Sequence, residues 1–313
     1  MTRLETLCIA GAVAVLAVSC GKEEAVREDG ASKVEFTASE LQVKTVFGEK
    51  ADGEYPVLWT TKEKVALFYN SQTGGQTGGG QYADVLPSAD GHTAGFSASF
   101  TDDGNGSHSF YAMSPLSALN WMGNEDWDGN GVNEKILYAN IPPDQIPVPG
   151  TCDEKAQIVF AKEEFSEFPD KVDLTFSHMT AYGLITSLSL PEEATEIVGL
   201  TIESDKFLSG EIYCNYNTPE TILCNAKTAQ KYIYLDVNNG GLKAKTLENV
   251  FFACTPQTDG NDVFGEGDYL KFTVYTDTDT WVKTVNFSAD RTLAFKAGRI
   301  SSFSVSAHGF EKQ

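Results

Sequence analysis

The chain has 313 residues, 41% hydrophobic and 11% aromatic, long enough for one large or two ordinary domains and too apolar for global disorder. Acids outnumber bases 44 to 23, a net charge of −21, which argues against recognition of nucleic-acid backbones and against adsorption to anionic lipid through a basic face. Four His and four Met leave little for a His-rich metal centre, whereas 28 Gly, 12 Tyr and 19 Phe favour strands and turns over helices.

At the N-terminus, Arg3 precedes the apolar run Leu7 to Val18. The run is too short to span a bilayer and fits the apolar region of a signal peptide, predicted over residues 1–19. It ends in Ala17-Val18-Ser19-Cys20. Small residues before a Cys at this place resemble the lipobox of bacterial lipoproteins, in which the Cys becomes the lipidated mature N-terminus. An ordinary secretory signal with an incidental Cys is the alternative. Several acyl chains on Cys20, at about 0.8 kcal/mol per buried methylene, would hold the protein on a membrane without a spanning helix. Residues 20–33 then read as the lipidated Cys and a flexible, charged tether. Within it, Lys22-Glu23-Glu24 resembles the short acidic signal that sends Bacteroidetes lipoproteins to the outer face of the outer membrane; a generic solvated linker is the alternative.

The body predicts strands. Period-two alternation recurs at 34–38, 64–69, 232–237, 269–275 and 282–287, separated by Gly, Asn, Asp and Pro clusters. Ser71 to Gln81, with five Gly in eleven residues, predicts a hairpin loop. Ile141 to Gly150 holds four Pro and must be extended and edge-like, because Pro cannot donate to a ladder. The only helix-like stretch is Lys162 to Phe168. A long strand-like run, Met179 to Leu190, follows. The expected fold is all-β, with two β-sandwich domains at 34–170 and 171–313.

Chemistry-bearing residues are sparse. Cys8 leaves with the signal, so Cys152, Cys214, Cys224 and Cys254 remain, with no zinc spacing. Cys214 and Cys224 flank what reads as a hairpin; a three-residue loop would place them opposite one another, within bridging reach, and the alternative is a pair of half-buried small residues. His92, His108, His178 and His308 lie in unrelated contexts with no nucleophile elbow. Acid pairs such as Glu163/Glu164 and Asp102/Asp103 could suggest a glycosidase, but 44 acids produce pairs by chance. No catalytic residue and no enzymatic activity are expected. Asp126, Asp128 and Asn130, alternating ahead of Gly131, resemble the start of a calcium loop. Counted from Asp126, the closing Glu position is occupied by Leu137, and Glu134 would only partly compensate; an Asp/Asn/Gly turn is the alternative. No other cofactor is implied. Trp121 and Trp127, beside polar loops, are candidates for stacking on sugars, with burial in the core the alternative.

An ordered series of segments resembles the fimbrillin family of Bacteroidetes. Phe36-Thr37-Ala38-Ser39 with Val43-Lys44-Thr45 looks like its opening strand pair. Leu58-Trp59-Thr60-Thr61 with Lys64 to Phe68 resembles its strand entering the core, Lys62-Glu63 replacing Gly-Asp. Phe110 to Pro115 resembles its F-Y-A-x-Y-P strand with Ser for Tyr, and Ile141 to Gln145 its L-P-x-x-Q segment. Leu174 to Ala181 looks like its L-x-F-x-H-x-x-A strand, and Lys296 to Ile300 its x-A-G-K-x-Y ending. The resemblance implies two β-sandwiches, the second transthyretin-like, on an outer-membrane surface lipoprotein acting in adhesion. Its partners would be other fimbrial subunits, and surface glycans or proteins of host or bacteria, with membrane contact through the lipid alone. It also implies assembly by strand addition, in which proteolysis after a basic residue removes the N-terminal strand and a neighbour fills the groove. Arg27 and Lys33 are the candidate cleavage points. Only His308 to Gln313 follows the last matching strand, where shaft subunits carry a donor segment, so an accessory or tip-like subunit is expected. A stand-alone glycan-binding lipoprotein is the alternative.

Overall fold

Each of the five alternating segments named above contains a strand. The computed structural model describes residues 31–38, 58–61, 64–71, 80–102, 106–126, 131–219, 221–256, 263–290 and 292–313. Among these there is no α-helix, only 3-10 turns at Leu116–Ala118 and Glu154–Ala156. In chain order, the first strands are β1 (Ala31–Ala38), β2 (Lys64–Ser71), β3 (Gln81–Asp84), β4 (Leu86–Pro87), β5 (Ala94–Thr101) and β6 (His108–Ser114). β7 (Leu119–Glu125), β8 (Glu134–Ile141), β9 (Asp144–Gln145), β10 (Val159–Phe165), β11 (Lys171–Leu174) and β12 (Phe176–His178) follow. The next five are β13 (Ala181–Ser189), β14 (Ile197–Ser204), β15 (Gly210–Asn215), β16 (Leu223–Cys224) and β17 (Tyr232–Leu235). The last are β18 (Thr246–Cys254), β19 (Tyr269–Thr276), β20 (Thr280–Asn286), β21 (Ile300–Val305) and β22 (Glu311–Lys312).

The first half of the chain builds two sheets and begins a third. An outer sheet, in the order β11-β1-β5-β4, faces a middle sheet, β12-β10-β6-β2-β3. Val34, Phe36, Phe96 and Phe100 from one meet Val65, Leu67, Phe110 and Val159 from the other in a shared core. The middle sheet buries its second face as well: Ala66, Phe68, Tyr111 and Met113 pack on Leu137, Ala139, Ile141 and Ile212 of a third sheet, β16-β15-β8-β7. Burial on both faces explains why all seven residues of β6 are buried and why its sequence does not alternate. Trp59 closes one end of the first core, edge-on to Phe176 at 5.2 Å.

The second half is a two-layer sandwich, with sheet β18-β13-β21 on sheet β22-β20-β19-β14-β17-β9. Ile185, Val250 and Phe252 interdigitate with Leu200, Ile202, Phe272 and Val274. Strand pairing runs between the halves in both directions: β15 and β16 extend the sheet of β7 and β8, while β9 joins β17 in parallel. The Pro-rich segment is extended and at an edge, as its composition requires, because β9 ends the six-stranded sheet.

Three local expectations are corrected. The helix-like stretch Lys162 to Phe168 lies largely in strand β10, held between β6 and β12; tertiary pairing overrides local propensity. Lys162 and Glu164, two residues apart on one strand face, form an ion pair at 2.8 Å. The Leu174 to Ala181 segment is not one strand, since β11, β12 and β13 belong to three different sheets. Cys224 lies opposite Ile212 rather than Cys214, because the connection runs from Tyr216 to Ile222 and shifts the register. Cys214 is buried, Cys224 half-buried, and all four described cysteines are thiols.

Candidate functional site

The site that the fold sets apart is the slot occupied by β1. Its sequence alternates cleanly: Lys33, Glu35 and Thr37 face outward, while Val34, Phe36 and Ala38 are buried. β1 pairs antiparallel with β5 over eight positions, Ala31↔Thr101 to Ala38↔Ala94. On its other side it pairs in parallel with β11, from Glu35↔Lys171 to Ala38↔Leu174. Glu35 N–H also donates to Asp170 O at 3.0 Å. The first described strand of the chain is therefore an interior strand of its sheet. Phe36, 2% exposed, is its anchor, with ring centroids 5.7 Å from Phe96, 6.2 Å from Phe100 and 5.7 Å from Phe110. On the outer face the Thr37 hydroxyl donates to the Asp173 carboxylate, which this bond and the nearby Lys171 ammonium hold below the usual carboxylate range.

Lys33 lies inside this strand, opposite Ser99, with its ammonium 3.5 Å from Glu35. A cut after Arg27 or Lys33 would leave Val34, Phe36 and Ala38 in the sheet. Cys20 and Arg27 lie outside the described residues, as do Trp127, Asp128 and Asn130. Of the calcium candidates only Asp126 is described; its Oδ2 accepts the Gly131 N–H at 3.0 Å. Among the described residues no group of three His, Cys, Asp or Glu side chains is arranged to hold a metal. Trp121 sits on β7 and is 42% exposed.

The histidines do not converge. His108 and His178 are buried, each with Nδ1 against a tyrosine hydroxyl: Tyr69 at 2.6 Å and Tyr182 at 2.8 Å. Tyr182 Oη also accepts from Thr180 Oγ1 at 3.0 Å, and burial pushes the His178 pKa down to about 3. His178 is thus neutral. Gly298, at φ +68°, packs against it; a Cβ there would sit 2.8 Å from His178 Cδ2. Two pieces of the motif series, around His178 and around Gly298, meet in this contact. Glu163 and Glu164 are neighbours on β10, so they point to opposite faces and do not oppose each other across a cleft.

Sequence reasoning placed Gln145 at the end of the L-P-x-x-Q segment but gave it no role; it is 1% exposed. Its Nε2 donates to Ala253 O at 2.8 Å and to Pro142 O at 3.1 Å, and its Oε1 accepts from Ala253 N–H at 3.0 Å. One side chain thus completes the hydrogen bonds of a residue on edge strand β18. Its role could not be read locally, since its partner lies 108 residues away.

No family model and no curated protein matches the chain. Solved structures do. A candidate cell adhesion protein from Bacteroides uniformis superposes with a TM-score of 0.52, over 91% of this chain and 96% of that one, at 15% identity. This chain has its fold. A second candidate cell adhesion protein, from Bacteroides ovatus, gives a TM-score of 0.51 over 90% and 95% of the two chains, at 12% identity. The β-sandwich architecture expected from alternation is therefore a known one, shared across nearly the full length of both relatives in structure.

Proposed function

We propose that the chain is a surface-anchored adhesion subunit of the fimbrillin type, joined to neighbouring subunits by strand exchange at the β1 slot. The observation that carries this reading is the interior position of β1. Its departure would open a slot with a ladder on each side and an apolar floor made by Phe96, Phe100 and Phe110, which is the physical requirement for capturing an alternating peptide. The shared fold with two candidate cell adhesion proteins supports the adhesion role. The motif series supports the fimbrillin assignment, and acylation at Cys20 would supply the outer-membrane anchor. Release of the whole strand requires a cut beyond Ala38. Lys44 and Lys50 are the basic residues between Ala38 and Leu58, and they replace Arg27 and Lys33 as the sites whose cleavage would empty the slot.

At the other end of the fold, β22 is held in place and is not available for donation. Glu311 and Lys312 pair with Val282 and Trp281 of β20, and Gln313 N–H donates to Thr280 O at 2.9 Å, so these residues are committed to their own sheet. Outer-membrane extracts run unboiled and boiled on a denaturing gel, then blotted for this protein, test the assembly. The expected result is a set of larger, heat-sensitive species that collapse to the monomer on boiling. A single monomer band in both lanes would contradict it.

A further inference from the structure

The outward face of the sheet β16-β15-β8-β7 carries a row of aromatic rings. Register sets Trp121 against Tyr138, and Tyr138 against Tyr213. The ring centroids are 5.9 Å and 5.5 Å apart. Two residues along β7, on the same face, stands Gly123, where a Cβ would collide with Cζ2 of the Trp121 indole. The missing side chain lets the indole lie down over the strand. One ring face is seated on the sheet, and the residue still keeps 42% exposure. Beside the row, the Glu211 carboxylate accepts from Asn120 Nδ2 at 2.7 Å and from Asn225 Nδ2 at 2.6 Å, which fixes both amides. Trp121, Asn124, Glu125, Tyr138, Glu211 and Asn225 line one depression of about 430 Å³, a size common among small-molecule sites.

We propose that this depression binds the terminal sugar of a neutral glycan. A seated, exposed indole offers a flat apolar platform to the C–H face of a pyranose ring, a surface that water covers poorly. Carboxylates and carboxamides at its rim match vicinal hydroxyls, the carboxylates accepting and the amides both donating and accepting. No Lys or Arg is among the lining residues, two Glu are, and the chain carries −21 overall. That field selects against sialylated, sulfated or uronic sugars. The site lies on the third sheet, while β1 lies in the first, so it serves an assembled subunit and a stand-alone surface protein alike.

Saturation-transfer NMR and calorimetry on the full-length protein test the proposal, with lactose, cellobiose and maltotriose as neutral probes and sialyllactose as the charged one. At least one neutral probe should bind saturably below about 10 mM. Trp121→Ala should weaken it by about tenfold or more, with an unchanged thermal melt, and Trp121→Phe should retain most of the affinity. Glu211→Gln should weaken it too. Absence of binding for every neutral probe, equal binding by Trp121→Ala, or preference for sialyllactose would each overturn the proposal.

Discussion

Phe36→Ala is expected to lower the stability of the intact chain by about 3–5 kcal/mol, the usual cost of truncating a fully enclosed phenylalanine. Phe36 is 2% exposed and touches aromatic rings from both facing sheets, so little can collapse into the space it leaves. The eight-position ladder to β5 involves only backbone, so the strand itself can still pair. Urea unfolding should show a lower midpoint with an unchanged slope. Against a typical total of about 5–15 kcal/mol, this is a large share for one side chain of a strand at the start of the fold. A loss within about 0.5 kcal/mol, the range of ordinary surface substitutions, would mean that β1 is not held by its apolar face.

Gln145→Leu is expected to cost about 2–6 kcal/mol, for a different reason. The leucine fits the space, but it leaves the N–H and C=O of Ala253, a residue with no exposure, without partners. Each stranded buried group costs about 1–3 kcal/mol. Gln145→Glu should lose a comparable amount, because its carboxylate keeps the bond from Ala253 N–H while facing Ala253 O without a donor. Amide hydrogen exchange reads the effect at one site: protection of the Ala253 N–H should drop steeply in both variants while that of β14 and β19 changes less.

How much of this was legible in the sequence follows from what each strand faces. β1 was readable because its two faces differ, with Val34, Phe36 and Ala38 inward and Lys33, Glu35 and Thr37 outward. The same contrast made the strand run at Tyr269 readable, and four Pro marked the edge that begins at Ile141. β6 gave no alternation because sheets cover both of its faces, and β10 read as helix because Lys162, Glu163 and Glu164 interrupt its apolar pattern. The third sheet itself was invisible: β7, β8, β15 and β16 come together only through pairing across the chain. For that reason Tyr138, Glu211 and Asn225 could not be joined to Trp121 in advance. The one local clue was the spacing Trp121-Met122-Gly123, in which the glycine makes room for the indole. Gln145 stood in the sequence only as the last residue of the L-P-x-x-Q segment. Its role depends on an edge strand in the other half of the chain.

The exchange of β1 is the central claim, and emptying the slot tests it most directly. A specific protease site placed just beyond Ala38 allows the strand to be cut and then removed under mild denaturation. The synthetic peptide Ala-Ser-Lys-Val-Glu-Phe-Thr-Ala, matching Ala31–Ala38, is then titrated back. The prediction is that the emptied protein melts at lower temperature, and that the peptide binds saturably and restores the melt. The same peptide with Ala for Phe should bind at least about 100-fold more weakly. An emptied protein as stable as the intact one, or equal binding of both peptides, would contradict strand exchange at this slot.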